Sequence, residues 1–251
     1  MSSIGVSALA FGLVFGGALL GLFISTRLPE HHQSSGSKDV VRMGMGMVGT
    51  IAALVLGLLV SSAKTFCDGQ RDELMQMSAN VVLVDRLLQH YGPEANGARE
   101  SLRLAVGRIL TRIWPEERTG KATLLPMTAR NEDVYDQIDA LAPKDDRQRA
   151  LQSRAMSLML SMGQMRWLIF EQTSEAVSTP LLIVIIFWLT SIFVSWGLYS
   201  PVNATTVASF FAAALSVSGA ILMIMELYSP YSGLLRVSSA PLRLAYATLG
   251  Q

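Results

Sequence analysis

The residues best suited to metal or proton chemistry are Glu30-His31-His32, with Asp39 a few positions on. Adjacent histidines point to different sides of a helix, so the pair cannot form a two-histidine helical site. Two readings remain, a loop site and a polar interfacial loop. An imidazole titrating near pH ~6.5 would let this loop respond to pH. Arg42 and Lys64 bracket an apolar stretch, and Lys38 adjoins the first of them. One reading is that Arg42 and Lys64 snorkel to headgroups. The other requires several copies around an axis, where they form basic rings at both mouths of a pore, and such rings suit anions. The face between them is then Met43, Met47, Thr50, Leu54, Gly57 and Ser61, apolar in its middle and able to close by dewetting.

Other constellations carry less. Gly44-Met45-Gly46-Met47-Val48-Gly49 matches G-x-G-x-x-G, but that fingerprint needs a preceding strand and a helix N-terminus aimed at a pyrophosphate. Here it falls inside an apolar segment. Cys67, the single cysteine, has no catalytic partner nearby in sequence and excludes an intrachain disulfide. No HExxH, GxSxG or P-loop pattern is present. We therefore expect no enzymatic activity, no resident metal and no cofactor. A net charge of +1 gives no reason to expect nucleic-acid binding.

The elements that position these residues follow from the distribution of charge. Of 251 residues, 51% are hydrophobic and 16% charged. Residues 64–178 carry 15 Lys/Arg and 16 Asp/Glu, and the rest of the chain carries 5 and 3. The middle thus reads as soluble protein and the ends as membrane. About 20 apolar residues cross ~30 Å of hydrocarbon. Four segments qualify: Ile4–Ile24, Val40–Ala63, Pro180–Leu198 and Ala204–Met225. Met1-Ser2-Ser3 lacks a basic n-region and the first run exceeds a signal-peptide core, so it is expected to be a retained anchor. The turn 199–203 makes the third and fourth spans antiparallel neighbours. Trp188, Trp196 and Tyr199 fit an interfacial belt. Small residues recur at interface spacing: Ala8, Gly12 and Gly16; Gly17 and Gly21; Gly46, Thr50, Ala53 and Gly57; Ala208, Ala212 and Ser216. They permit close packing within one subunit or between subunits.

Past the second span, Leu74, Met77, Val81, Val84, Leu88 and Tyr91 form an a/d stripe that stops at Gly92-Pro93. A second helix is predicted over about 94–114 and a loop over 116–130. A short helix follows near 132–141, and a long one over about 144–171 with the stripe Leu151, Ala155, Leu158, Met162, Met165 and Ile169. The two long helices should lie antiparallel in a four-helix bundle. Ser239 is expected to cap a short helix beginning Ala240-Pro241, in an amphipathic tail that lies at the interface or docks on the bundle. The fold class is therefore all-α: a polytopic membrane protein with four transmembrane helices and an inserted helical-bundle domain. The expected divisions are 1–63 (spans one and two), 64–178 (bundle), 179–226 (spans three and four) and 227–251 (tail).

Four spans put both termini and the insertion on one side. Arg27, Lys38 and Arg42 after the first span argue for termini outside. Lys64, Arg71, Arg166, Arg236 and Arg243 argue for the domain and C-terminus inside, and a cytoplasmic placement in a bacterial inner membrane is the expectation.

Several stretches carry a family resemblance. They are Leu28-Pro29-Glu30-His31-His32, Ser37-Lys38-Asp39-Val40-Val41-Arg42, Ala52-Ala53-Leu54-Val55-Leu56-Gly57-Leu58, Arg166-Trp167-Leu168-Ile169-Phe170-Glu171-Gln172, Ala214-Leu215-Ser216-Val217-Ser218-Gly219-Ala220-Ile221 and Ser238-Ser239-Ala240-Pro241-Leu242-Arg243. Over nearly the whole chain the sequence resembles a family of mainly bacterial membrane proteins called bestrophin-like. The resemblance implies similarity to bestrophins, pentameric anion channels with four spans, cytoplasmic termini and a pore lined by the second span. Two features depart from bestrophins. The second span has no aromatic residue before Phe66 where bestrophins carry a phenylalanine-rich neck, and no acidic cluster resembling a calcium clasp follows the fourth span. Gating and selectivity therefore do not transfer residue by residue. The expected function is a homo-oligomeric channel passing small anions across the lipid bilayer. The alternative is a membrane-anchored sensor or scaffold whose helical domain binds a partner.

Overall fold

A computed structural model describes residues 2–27, 35–114, 132–174, 179–231 and 233–250. Every regular element among them is helical: α1 (Ser3–Ser25), α2 (Ser35–Tyr91), a 3-10 turn (Pro93–Ala95), α3 (Asn96–Ile113), α4 (Glu132–Asp139), α5 (Asp146–Ser174), α6 (Thr179–Leu198), α7 (Ala204–Leu227) and α8 (Ala240–Thr248). Four of them, α1, α2, α6 and α7, are long and apolar enough to cross a membrane. The chain is an all-α membrane protein, as its composition predicts. It divides into two compact units, Met1–Phe66 with Val177–Tyr228, and Cys67–Ala176 with Ser229–Gln251.

In the first unit α1 packs along both α6 and α7. Val14, Ala18 and Leu22 meet Phe193, Phe210 and Ala214 in one cluster, and Val6 and Ala10 meet Leu182, Ile186 and Ile221 in another. The register sets α1 parallel to α6 and antiparallel to α7. Close approach explains two glycines. A Cβ on Gly21 would collide with the carbonyl of Val194, and one on Gly197 with the carbonyl of Ala18. The Ser7 hydroxyl donates to the carbonyl of Ser218 at 2.7 Å, a buried bond that ties α1 to α7 where no water competes. Asn203 caps α7, its side-chain oxygen accepting from the backbone N–H of Thr206 at 2.8 Å.

In the second unit the predicted stripe of α2 is buried from Leu74 to Tyr91. It shares one core with Leu102, Val106 and Leu110 of α3, Val134 and Ile138 of α4, and Ala155 and Met162 of α5. Helix α2 stops at Gly92, whose φ of 130° only glycine adopts readily. Its last carbonyl, on Tyr91, accepts from Gln148 Nε2 at 2.9 Å. Element boundaries differ from expectation for local reasons. The 3-10 turn occupies Pro93–Ala95, because proline fits a first turn, so α3 begins at Asn96 and not at 94. Helix α4 ends at Asp139, where Gln152 Nε2 takes up the carbonyls of Ile138 and Leu141. Helix α5 begins at Asp146 because Asp145 accepts from the N–H of Gln148 at 2.7 Å. Helix α2 is 57 residues long. It starts at Ser35 and remains helical through Gly69. The expected loop 116–130 lies outside the described residues.

The C-terminal segment docks on the bundle. Tyr231, Val237, Leu242, Ala245 and Leu249 join its core, and Trp114 Nε1 donates to the carbonyl of Val237 at 3.0 Å. Ser239 does not supply the capping bond of α8. The Ser238 hydroxyl accepts from the N–H of Ala240 at 3.2 Å, while Ser239 Oγ accepts from Arg243.

Candidate pore face

Helix α2 uses one stripe for packing and leaves the opposite side open. In the first unit Ala52 and Ala63 are buried, with Met45, Gly49, Leu56 and Leu59 half-buried between and before them. At about 100° per residue, positions spaced 4-3-4-3 hold one face of the helix. Met43, Met47, Thr50, Leu54, Gly57 and Ser61 have the same spacing on the other face, and all six are exposed. Met43 is 74%, Met47 69% and Leu54 70% exposed. The contrast with the other spans is large. Only 6% of the apolar window of α2 is buried, against 39%, 33% and 28% for α1, α6 and α7.

The small-residue stripes separate into two groups. Gly17 and Gly21 are consumed by the approach of α1 to α6. Ala8, Gly12 and Gly16, then Gly46, Thr50, Ala53 and Gly57, then Ala208, Ala212 and Ser216, are all exposed. A Cβ on Gly12, Gly16, Gly46 or Gly57 would meet nothing within 4 Å. Packing within the subunit therefore does not explain these glycines, each of which costs a helix interior about 1 kcal/mol relative to alanine.

The polar groups on the open face turn inward on their own helix. Thr50 Oγ1 donates to the carbonyl of Gly46 at 3.0 Å, and Thr65 Oγ1 to that of Ser61 at 3.0 Å. The middle of the face is thus effectively apolar. Its ends carry cations. Arg42 and Lys64 are exposed and Lys38 is half-buried. Arg42 and Lys64 lie 22 residues apart, or about 33 Å along the helix, close to the ~30 Å of a hydrocarbon core. Tyr228 marks the Lys64 end. Its hydroxyl bonds Ser62 Oγ at 3.2 Å and its ring lies 5.5 Å from that of Phe66. Glu30, His31 and His32 lie outside the described residues. No cluster of three or more metal-ligating side chains occurs among the described residues.

Three features of the second unit escape the sequence patterns. Asp85 and Arg99 form a bidentate ion pair at 2.8 and 3.1 Å between α2 and α3. The hydrogen bond to Asp85 raises the affinity of Arg99 for its proton. Gln70 is buried and accepts from the Tyr231 hydroxyl at 3.2 Å. Burial raises the pKa of Tyr231, with the charge of Glu73 adding to the effect. One carboxylate oxygen of Glu73 is buried without a hydrogen-bond partner among the described residues, and desolvation raises its pKa. Gln70 was within reach of a pattern argument, because it extends the 4-3 stripe one step before Leu74.

No curated protein and no solved structure matches the chain. A family model does, the bestrophin-like domain, over residues 12–242. That range contains all four apolar helices apart from the first turns of α1, together with the whole of the inserted bundle. The chain belongs to the bestrophin-like family.

Proposed function

We propose that this chain is one subunit of a homo-oligomeric channel that conducts small anions, with α2 lining the pore. The observation that carries this reading is the openness of α2. A membrane helix that buries 6% of its apolar window in its own subunit, and presents glycines to open space, is suited to neighbours of its own kind. Copies of α2 around an axis would bring Arg42 and Lys38 to one mouth and Lys64 to the other. The face of Met43, Met47, Thr50, Leu54, Gly57 and Ser61 would line the path between them. Rings of cations attract anions, and the apolar middle supplies a constriction that closes by dewetting. Family membership supports the same reading by analogy, and a pentamer is the stoichiometry that analogy gives. The termini and bundle are placed on the cytoplasmic side of a bacterial inner membrane by the basic residues Lys64, Arg71, Arg236 and Arg243.

The test is anion efflux from liposomes reconstituted with the purified protein. The wild type is expected to release chloride, and Arg42→Glu to lose most of that flux while folding and reconstituting normally. Flux unchanged by Arg42→Glu would remove the basic mouth from the mechanism.

A second reading has one observation in its favour. Helix α2 runs without interruption from the apolar segment into the bundle core, as a sensor or scaffold would need. That reading predicts a monomer or dimer with no flux.

A further inference from the structure

We propose that Tyr228 is a positioning residue for α2, a latch that sets which face the helix turns away from its own subunit. Along the apolar segment of α2 the packing stripe is Met45, Gly49, Ala52, Leu56, Leu59 and Ala63. These contacts are apolar and have no preferred direction. Gly49, Ala52 and Ala63 also give little relief for the ridges of a neighbouring helix to grip. A Cβ on Gly49 would stand 3.9 Å from Ile192 Cδ1 of α6, an ordinary van der Waals contact. Lipid adds no hydrophobic drive, because its tails are as apolar as the side chains they would replace. Such a helix turns about its own axis at small cost unless a directional bond opposes it.

Tyr228 supplies that bond. Its hydroxyl lies 3.2 Å from Ser62 Oγ, and its ring centroid lies 5.5 Å from that of Phe66. Ser62 and Phe66 are one turn apart on α2, so the tyrosine grips one side of the helix at two heights. Ser62 directly precedes the buried Ala63, at the edge of the packing stripe. The post from which Tyr228 acts is fixed. It caps α7, and its backbone N–H donates to the carbonyl of Ile224 at 3.1 Å. Thr50 and Thr65 cannot take over this role while their hydroxyls donate to carbonyls of α2 itself. A turn of about 30° moves an atom ~5 Å from the helix axis through roughly 2.5 Å, enough to break a hydrogen bond. The Ser62–Tyr228 bond is exposed, so water competes for it and the latch opens and closes without unfolding the helix. It acts within one subunit and does not depend on conduction by an assembly.

The test reads the rotational setting of α2 by joining Gly49→Cys to Ile192→Cys, in a Cys67→Ser background of the full chain reconstituted in vesicles. Iodine, which enters lipid, drives disulfide formation, and mass spectrometry of the linked peptides measures its rate. Tyr228→Phe and, separately, Ser62→Ala are each expected to slow this cross-link severalfold and to speed the one between Thr50→Cys and Ile192→Cys. Ser62→Thr, which keeps a hydroxyl, should leave both rates at their wild-type values. Tyr228→Phe combined with Ser62→Ala should do no more than either change alone, because both remove the same bond. Rates unchanged in both single variants overturn the latch. A fall at both cysteine pairs also overturns it, because that reports a loosened fold and not a turned helix.

Discussion

Asp85 and Arg99 leave water together, and the cost of that transfer is met only while both are present. Asp85→Ala is expected to destabilise the bundle by about 3–5 kcal/mol, because it strands a partly buried guanidinium. The paired change Asp85→Leu with Arg99→Met should recover most of that loss. Hydrogen exchange of the α2 and α3 amides past Leu74 reads both effects. Glu73 presents the opposite case, a carboxyl whose burial disfavours its charge. A raised folded-state pKa contributes stability below the unfolded value of 4.5 and loses it as pH rises through the folded value. Glu73→Gln should therefore raise the thermal midpoint at pH 7, and the gain should vanish towards pH 4. A constant gain across that range would mean that Glu73 is not the titrating group. Neither the Asp85–Arg99 pair nor the Gln70–Tyr231 pair was visible in the sequence. Arg99 lies 14 residues from Asp85, and Tyr231 lies 161 from Gln70, so only the folded chain brings the partners together.

At the level of the helices, glycines with different surroundings should respond differently to the same change. Gly21→Val places atoms against the backbone of α6 and is expected to abolish recovery of folded protein from membranes. Gly16→Val, on the open side of the same helix, meets nothing in its own subunit. It should leave the circular dichroism spectrum of the subunit unchanged while reducing assembly, read by size-exclusion chromatography with light scattering. Both glycines sit in similar small-residue stripes, so the sequence could not sort them. What sorts them is which stripe faces α6. Periodicity did locate the helices themselves. The 4-3 stripe of α2 and the apolar runs were legible because burial and lipid each impose their own pattern. The ends were less so. Asp145, Ser238 and the proline-led 3-10 turn set boundaries through single hydrogen bonds and backbone geometry, which no periodic pattern reports. The docking of the tail is testable in the same way. Leu242→Ala, at a fully buried position in α8, should cost about 2–5 kcal/mol and release the C-terminal segment to protease.

For the molecule as a whole, the membrane spans divide unequally between what one subunit buries and what it leaves. Helices α1, α6 and α7 form the packed group and α2 contributes little to it. A closed ring places such a helix next to its own copies and gives every open stripe the same partner. The intact assembly, extracted in nanodiscs, should therefore weigh a whole multiple of 27.2 kDa greater than two. The most direct test of α2 as the pore-lining helix is a thiol block of anion flux at Thr50→Cys, in a Cys67→Ser background, with a methanethiosulfonate reagent bearing a sulfonate. Thr50 sits midway along the open face, so the added negative charge should abolish most of the chloride efflux from reconstituted vesicles. Vesicles that conduct equally well after complete modification at Thr50→Cys would contradict the assignment of α2 to the pore.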